Sequence, residues 1–159
     1  MIMTQHSGEG KANQYYGRGF NLDHGTDFQT RLEGMPINLP THGHGQGWTN
    51  LSFLIPEFVG YLDYTLGIYH ADVGDFGSAG AAEFHLVRAL DRPFTTIEAG
   101  ANGLGRIATG LSTRAGPGML LAGGQATVAD SDSTATTHGA PPFASTRSRA
   151  TRVAVSYRY

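Results

Sequence analysis

Two histidines, His42 and His44, stand one residue apart in the run Thr-His-Gly-His-Gly-Gln-Gly at positions 41–47. In extended backbone, residues two apart point to the same side, so both imidazoles could face one ligand or one metal ion. A third metal ligand would have to come from a distant part of the chain, with His24 and His70 as the sources. The plainer reading is an exposed, glycine-flanked turn that offers side chains to a ligand and closes no metal site. Asp72 and Asp75 flank Val73-Gly74. Paired carboxylates can hold calcium or cleave glycosides, but the alternating oxygen ligands of a calcium loop are missing. These aspartates read as turn formers. The run 76–80 (Phe-Gly-Ser-Ala-Gly) has Phe76 where a nucleophile elbow needs glycine, and no Gly-Lys-Ser/Thr phosphate loop occurs. No catalytic residue and no resident metal or cofactor is assigned.

The chain around these residues narrows the choices. It has 159 residues, 23 of them glycine, and no cysteine, which excludes disulfides and thiolate metal sites. Eleven basic residues, ten Arg and Lys11, face thirteen acidic ones for a net charge of −2. That balance argues against nucleic acid as a partner, because neutralising phosphates needs a basic surplus. No run of 18 apolar residues is present, so no transmembrane helix is expected. The opening residues carry no basic region, apolar stretch and cleavage site of a secretory signal.

The elements that must hold the candidate residues follow from periodicity. Residues 28–33 alternate and predict a strand ended by Gly34; apolar residues at 35, 37 and 39 alternate again, with Pro36 and Pro40 confining that run to a sheet edge. Thr49 or Asn50 could cap a short helix whose face carries Leu51, Leu54 and Ile55, stopped by Pro56. Residues 58–65 and 81–90 read as strands, joined through a glycine-rich loop at 67–80. The expected core is Phe28, Leu32, Leu54, Ile55, Phe58, Tyr61, Phe84 and Leu86. After Pro93 the texture changes. Residues 95–101, 106–114 and 119–128 alternate weakly between turns at 102–103 and 116–118, the pattern of an up-and-down antiparallel ribbon, and 149–159 alternates strictly, with Val153, Val155, Tyr157 and Tyr159 on one face. Residues 130–149 are polar and aperiodic and read as loop. Two domains are expected, 1–92 and 93–159.

Taken in order, several strings resemble the plug of TonB-dependent outer-membrane receptors. They are Arg18-Gly19-Phe20, then Leu32-Glu33-Gly34-Met35-Pro36-Ile37-Asn38, then Leu54-Ile55-Pro56-Glu57. The run 69–76 (Tyr-His-Ala-Asp-Val-Gly-Asp-Phe) and Ser78-Ala79-Gly80 follow. The order and spacing agree over roughly residues 5–92. Glu33 stands where the family pattern has Asp, and Leu66-Gly67-Ile68 replaces its basic residue, Gly and Pro.

The resemblance implies an α+β plug domain, a small mixed sheet with short helices, followed by antiparallel strands of an incomplete transmembrane β-barrel. Family barrels have about 22 strands, so the chain reads as a truncated piece of a receptor. The implied role is gating and nutrient binding without catalysis. The implied partners are a small-molecule or metal-chelate ligand, an energy-coupling inner-membrane complex and the outer membrane. His42, His44 and Gln46 would be ligand contacts at the outward end of the plug. Arg18 and Glu33 would form a structural pair across neighbouring strands. Ile107, Leu111, Val153 and Val155 would face lipid, and the ribbon's open edges would make the chain poorly soluble and unable to transport by itself. The rival reading is a small soluble, His-rich metal-binding β-domain or enzyme.

Overall fold

The computed structural model describes residues 2–5, 13–17, 19–22, 27–101, 103–131 and 146–158. They fall into two compact units divided between Val87 and Arg88, a little ahead of the expected break at Arg92-Pro93.

Among the described residues the first unit holds seven strands in two sheets. β1 (Ile2–Gln5), β2 (Asn13–Gly17) and β3 (Phe20–Asn21) form a small antiparallel sheet. β4 (Phe28–Leu32), β5 (Met35–Pro36), β6 (Val59–Leu66) and β7 (Gly80–Leu86) form a four-stranded mixed sheet of order β5-β4-β7-β6. β4 and β7 are parallel, and the other two pairings are antiparallel. Glu33 and Gly34 link β4 to β5 with φ of 52° and 79°. Positive φ at both central residues matches a two-residue hairpin turn to the strand twist. Glycine suits the second position, but Glu33 is strained there by roughly 1–3 kcal/mol. Its carboxylate accepts the Leu86 N–H, and its own N–H donates to the Phe84 carbonyl at 3.0 Å. The turn is thus held by the end of β7.

Alternation gives the mixed sheet two unlike faces. Register puts Phe28, Thr30, Leu32, Ala82, Phe84 and Leu62 on one face, and Gln29, Arg31, Glu83 and Asp63 on the other. The buried cluster sits on the apolar face: Tyr15, Leu22, Phe28 and Ala82, with Leu51, Leu66 and Ala79 against them. The Tyr15 and Phe28 rings stack 6.0 Å apart.

Of the expected core, Phe28, Ile55 and Phe58 are buried, and Leu32, Leu54, Phe84 and Leu86 are half-buried. Tyr61 is a correction, because it is 59% exposed. A register shift between Val59 and Tyr61 breaks the alternation at Gly60, and the Tyr61 ring lies flat on the His85 imidazole with centroids 4.3 Å apart. The short helices are a second correction. Residues 51–55 make no helix, and the one helical element among the described residues is the 3-10 turn Pro56–Phe58. Proline fits its first position, but the segment is too short to repay helix nucleation. Asn50 does act locally, its Oδ1 accepting the Ser52 N–H at 2.8 Å, which closes a turn in place of a cap. The alternating run at 35–39 is also shorter than expected, with strand only at 35–36.

The second unit is a four-stranded antiparallel sheet, β11-β10-β9-β8. β8 spans Phe94–Ala99, β9 Gly105–Ala115, β10 Gly118–Ser131 and β11 Thr146–Arg158. The ends of the polar stretch expected as loop are strand, since β10 runs to Ser131 and pairs it with Thr146. Side chains on β8, β9 and β10 divide by parity. Ile97 is 77% exposed, Ile107 48% and Leu111 47%, while Ala108, Leu121 and Gln125 on the opposite face are buried. Arg106 links that second face, donating to Glu98 Oε1 and to Gln125 Oε1, each at 2.8 Å. Gln125 passes its own Nε2–H to Thr127 Oγ1 at 3.2 Å. In β11 the register sets Val155 opposite Ala122 and Val153 opposite Gly124; their side chains lie outside the described set.

Candidate functional site

The loop at 41–47 leaves the edge of the mixed sheet and returns to it. Leu39 and Trp48 close its base: the Leu39 N–H donates to the Trp48 carbonyl at 2.9 Å, and the Gly47 N–H to the Leu39 carbonyl at 2.7 Å. Asn38 fixes that base to β4. Its Oδ1 accepts the Thr30 N–H at 2.6 Å, and its Nδ2 donates to the Phe28 and Gly47 carbonyls at 3.0 and 2.9 Å. Asn38 is buried, so these bonds occupy main-chain groups that water does not reach. The adjacent Pro40 has no N–H to give a continuing ladder, and the asparagine amide supplies the pairing that the strand does not.

All three expected ligand contacts, His42, His44 and Gln46, are exposed on this loop. His42 stacks on Trp48 with ring centroids 4.3 Å apart and planes 12° from parallel. Its Nδ1 accepts the His44 N–H at 3.1 Å. With Nδ1 used in this way, neutral His42 carries its proton on Nε2 and presents a donor to solvent. That suits a ligand oxygen better than a metal ion. Among the described residues no three His, Asp or Glu stand close enough to hold a metal.

The Arg18–Glu33 pair cannot be placed, because Arg18 lies outside the described residues, as does His24. Asp72 and Asp75 are exposed in the loop after β6, and their carbonyls are the groups in use. Arg31 Nη2 donates to the Asp72 carbonyl and Gln29 Nε2 to the Asp75 carbonyl at 3.2 Å. The segment is thereby strapped across the polar face of the sheet, over a cleft of about 290 Å³ whose lining includes Gln29, Arg31, Asp63, His70, Asp72 and Glu83.

Sequence reasoning did not single out Arg31, Glu83, Asp63 and His85. In register Arg31 stands beside Glu83, and Glu83 beside Asp63, in one row across three strands. His85 Nε2 lies 3.4 Å from Asp63 Oδ2 and 4.0 Å from Glu83 Oε1. Parity within each strand carries a signal, Gln29 and Arg31 in β4 with Glu83 and His85 in β7, but only the pairing brings them together. The serine of the apparent elbow, Ser78, donates to Asp27 Oδ1 at 2.9 Å, with no histidine base attached to it in that bond. No protein-family model matches the chain, and no curated protein matches it in sequence.

Proposed function

We propose that the chain is the plug and the first barrel strands of a TonB-dependent outer-membrane receptor, a binding and gating module for a scarce nutrient such as a metal chelate. It catalyses no reaction. The observation that carries this reading is the inverted surface of the second unit. There the large apolar side chains Ile97, Ile107 and Leu111 point to solvent, and the face bearing Arg106 and Gln125 is the covered one. A sheet in water has the opposite preference, whereas a barrel wall sets an apolar band against lipid and a polar face inward. Length supports it too. β9, β10 and β11 have 11, 14 and 13 residues, and a tilted strand needs about 9–11 to cross the hydrocarbon.

The first unit supplies the other half of the reading. Its motifs occur in the order of the resemblance, and its mixed sheet is small, with a polar face suited to a hydrated lumen. The loop at 41–47 is its ligand-contact candidate, with His42, His44 and Gln46 exposed. The partners are the nutrient, the outer membrane and, in a complete receptor, the inner-membrane energy-coupling complex.

Flotation tests the proposal. The full chain, refolded in the presence of phospholipid vesicles and digested with protease, is expected to float with the vesicles. With the open strand edges paired between copies of the chain, it should retain a protected fragment from residues 94–131 and 146–158 while the first unit is cleaved away. A chain that stays in the soluble fraction and yields no lipid-protected ribbon would sink the reading and favour the small soluble domain.

A further inference from the structure

The run at 41–47 and the run at 69–76 meet through one ring. Gly47 is buried at the base of the histidine loop with φ of 79°, and a Cβ there would lie 2.5 Å from Phe76 Cδ1 and 2.9 Å from Cγ and Cε1. The Phe76 ring occupies the space that a side chain at 47 would need. Phe76 itself has φ of 65°, a region that bulky residues rarely enter. Such an outlier persists when its surroundings fix it, and here they do. The Asp75 carbonyl just before it is held by Gln29, and the Asp72 carbonyl by Arg31. Gly77 just after it is packed so closely on Val73 that no Cβ fits. The ring is therefore pinned from the sheet side and set down on the loop.

We propose that Phe76 is the positioning residue of the histidine loop, locking residues 41–47 to the strapped segment 70–76 so that the two move together. Calling the loop a ligand loop rests on the receptor reading; the mechanical coupling does not. A ligand that displaces His42 or His44 shifts Gly47, Gly47 shifts the Phe76 ring, and the displacement reaches Gln29 and Arg31 on β4 through the carbonyls they hold. Coupling of this kind is reciprocal, so loosening the strap loosens the loop.

Amide hydrogen exchange on the full chain tests it. The Leu39 and Gly47 amides report the loop base, the Val73 amide, bonded to the His70 carbonyl, reports the strap, and the Val87 amide, bonded to the Phe58 carbonyl, reports the sheet. Phe76→Gly relieves the backbone and removes the ring; it is expected to speed exchange at Leu39 and Gly47 by about tenfold or more, with Val87 unchanged. Phe76→Tyr keeps the ring and should retain wild-type protection, and Phe76→Leu should fall between. Gly47→Ala is expected to speed exchange at Val73 in the wild-type background and to lose that effect when combined with Phe76→Gly. Unchanged loop exchange in Phe76→Gly overturns the proposal, as does an equal effect of Gly47→Ala in both backgrounds. Should Phe76→Gly also unprotect Val87, the Tyr and Leu variants decide, and equal protection in those two overturns it. None of these readings depends on vesicle binding, so the two proposals fail separately.

Discussion

The two units use the same alternating code and give it opposite surroundings. In the mixed sheet of the first unit, alternate residues build a covered apolar face around Phe28 and Ala82, and the opposite face carries polar side chains, Asp63 exposed and Gln29 and Arg31 beneath the strapped segment. In the ribbon, alternate residues cover Ala108, Leu121 and Gln125 and leave Ile97, Ile107 and Leu111 outside. Strand periodicity therefore reports that a sheet has two faces. It does not report which solvent each face is built for. That second fact comes from comparing side-chain chemistry with exposure, face by face.

The largest expected effect comes from charging the ribbon's exposed face. Replacing both Ile107 and Leu111 by Arg should abolish vesicle association, because an arginine near the bilayer midplane costs about 2–4 kcal/mol on a lipid-facing strand. Higher vesicle binding, or a simple gain of solubility with an unchanged lipid-protected fragment, would break the contrast between the units. Next comes the first unit's core. Phe28→Ala should cost roughly 3–5 kcal/mol, read as a lower denaturation midpoint by the fluorescence of Trp48, which is the chain's single tryptophan. A loss under about 1 kcal/mol would mean that the apolar face is not a true core.

These two outcomes bear on how much could be read before the fold was known. The strand at 28–32, the break at Gly34 and the hairpin at 116–117 follow from local chemistry, and the structure has each of them. The parity of Ile107 and Leu111 was also legible. The helix at 50–55 was not correctly legible: Leu51, Leu54 and Ile55 fit a helical face, but three residues without a following turn cannot tell a helix from a bend. Tyr61 was misassigned because a bulge at Gly60 is invisible to a period-two reading. In the site, the exposure of His42, His44 and Gln46 follows from the surrounding glycines. The stacking of His42 on Trp48 and the row Arg31, Glu83, Asp63 depend on pairing between distant segments, which one sequence does not display.

A smaller effect is expected where the loop joins the sheet. Asn38→Ala removes three hydrogen bonds and leaves the buried Thr30 N–H unpaired, a cost of about 2–3 kcal/mol. Chemical denaturation would measure it, and the Leu39 and Gly47 amides should lose protection together. Asn38→Asp keeps the acceptor for Thr30 and removes the two donors, so a loss equal to that of Ala would shift the weight onto the carbonyl contacts. The smallest effect belongs to the ribbon's polar face. Arg106→Met deletes the links to Glu98 and Gln125 while keeping much of the side-chain volume. Because Glu98 is half exposed, screening reduces the loss. It should be about 1 kcal/mol or less, seen as a small drop in the melting temperature of the vesicle-bound chain. A loss several times larger would show that this face is drier than a barrel lumen.

The pairing of β9 with β10 runs without a shift from Ala115 opposite Gly118 to Gly105 opposite Val128. Such an uninterrupted ladder limits how the gene can change length here. Deleting one codon within β9 would turn every residue beyond it to the other side, carrying Arg106 outward and Ile107 inward, unless a bulge absorbed the slip. Codons lost or gained in pairs keep the sides intact, as do equal changes on both strands next to the Gly116-Pro117 turn. Descendants of this chain should therefore vary the ribbon by even steps or at its turns, while residues 41–46, which have no ladder to preserve, can gain or lose single residues so long as Gly47 keeps its place against Leu39 and Phe76.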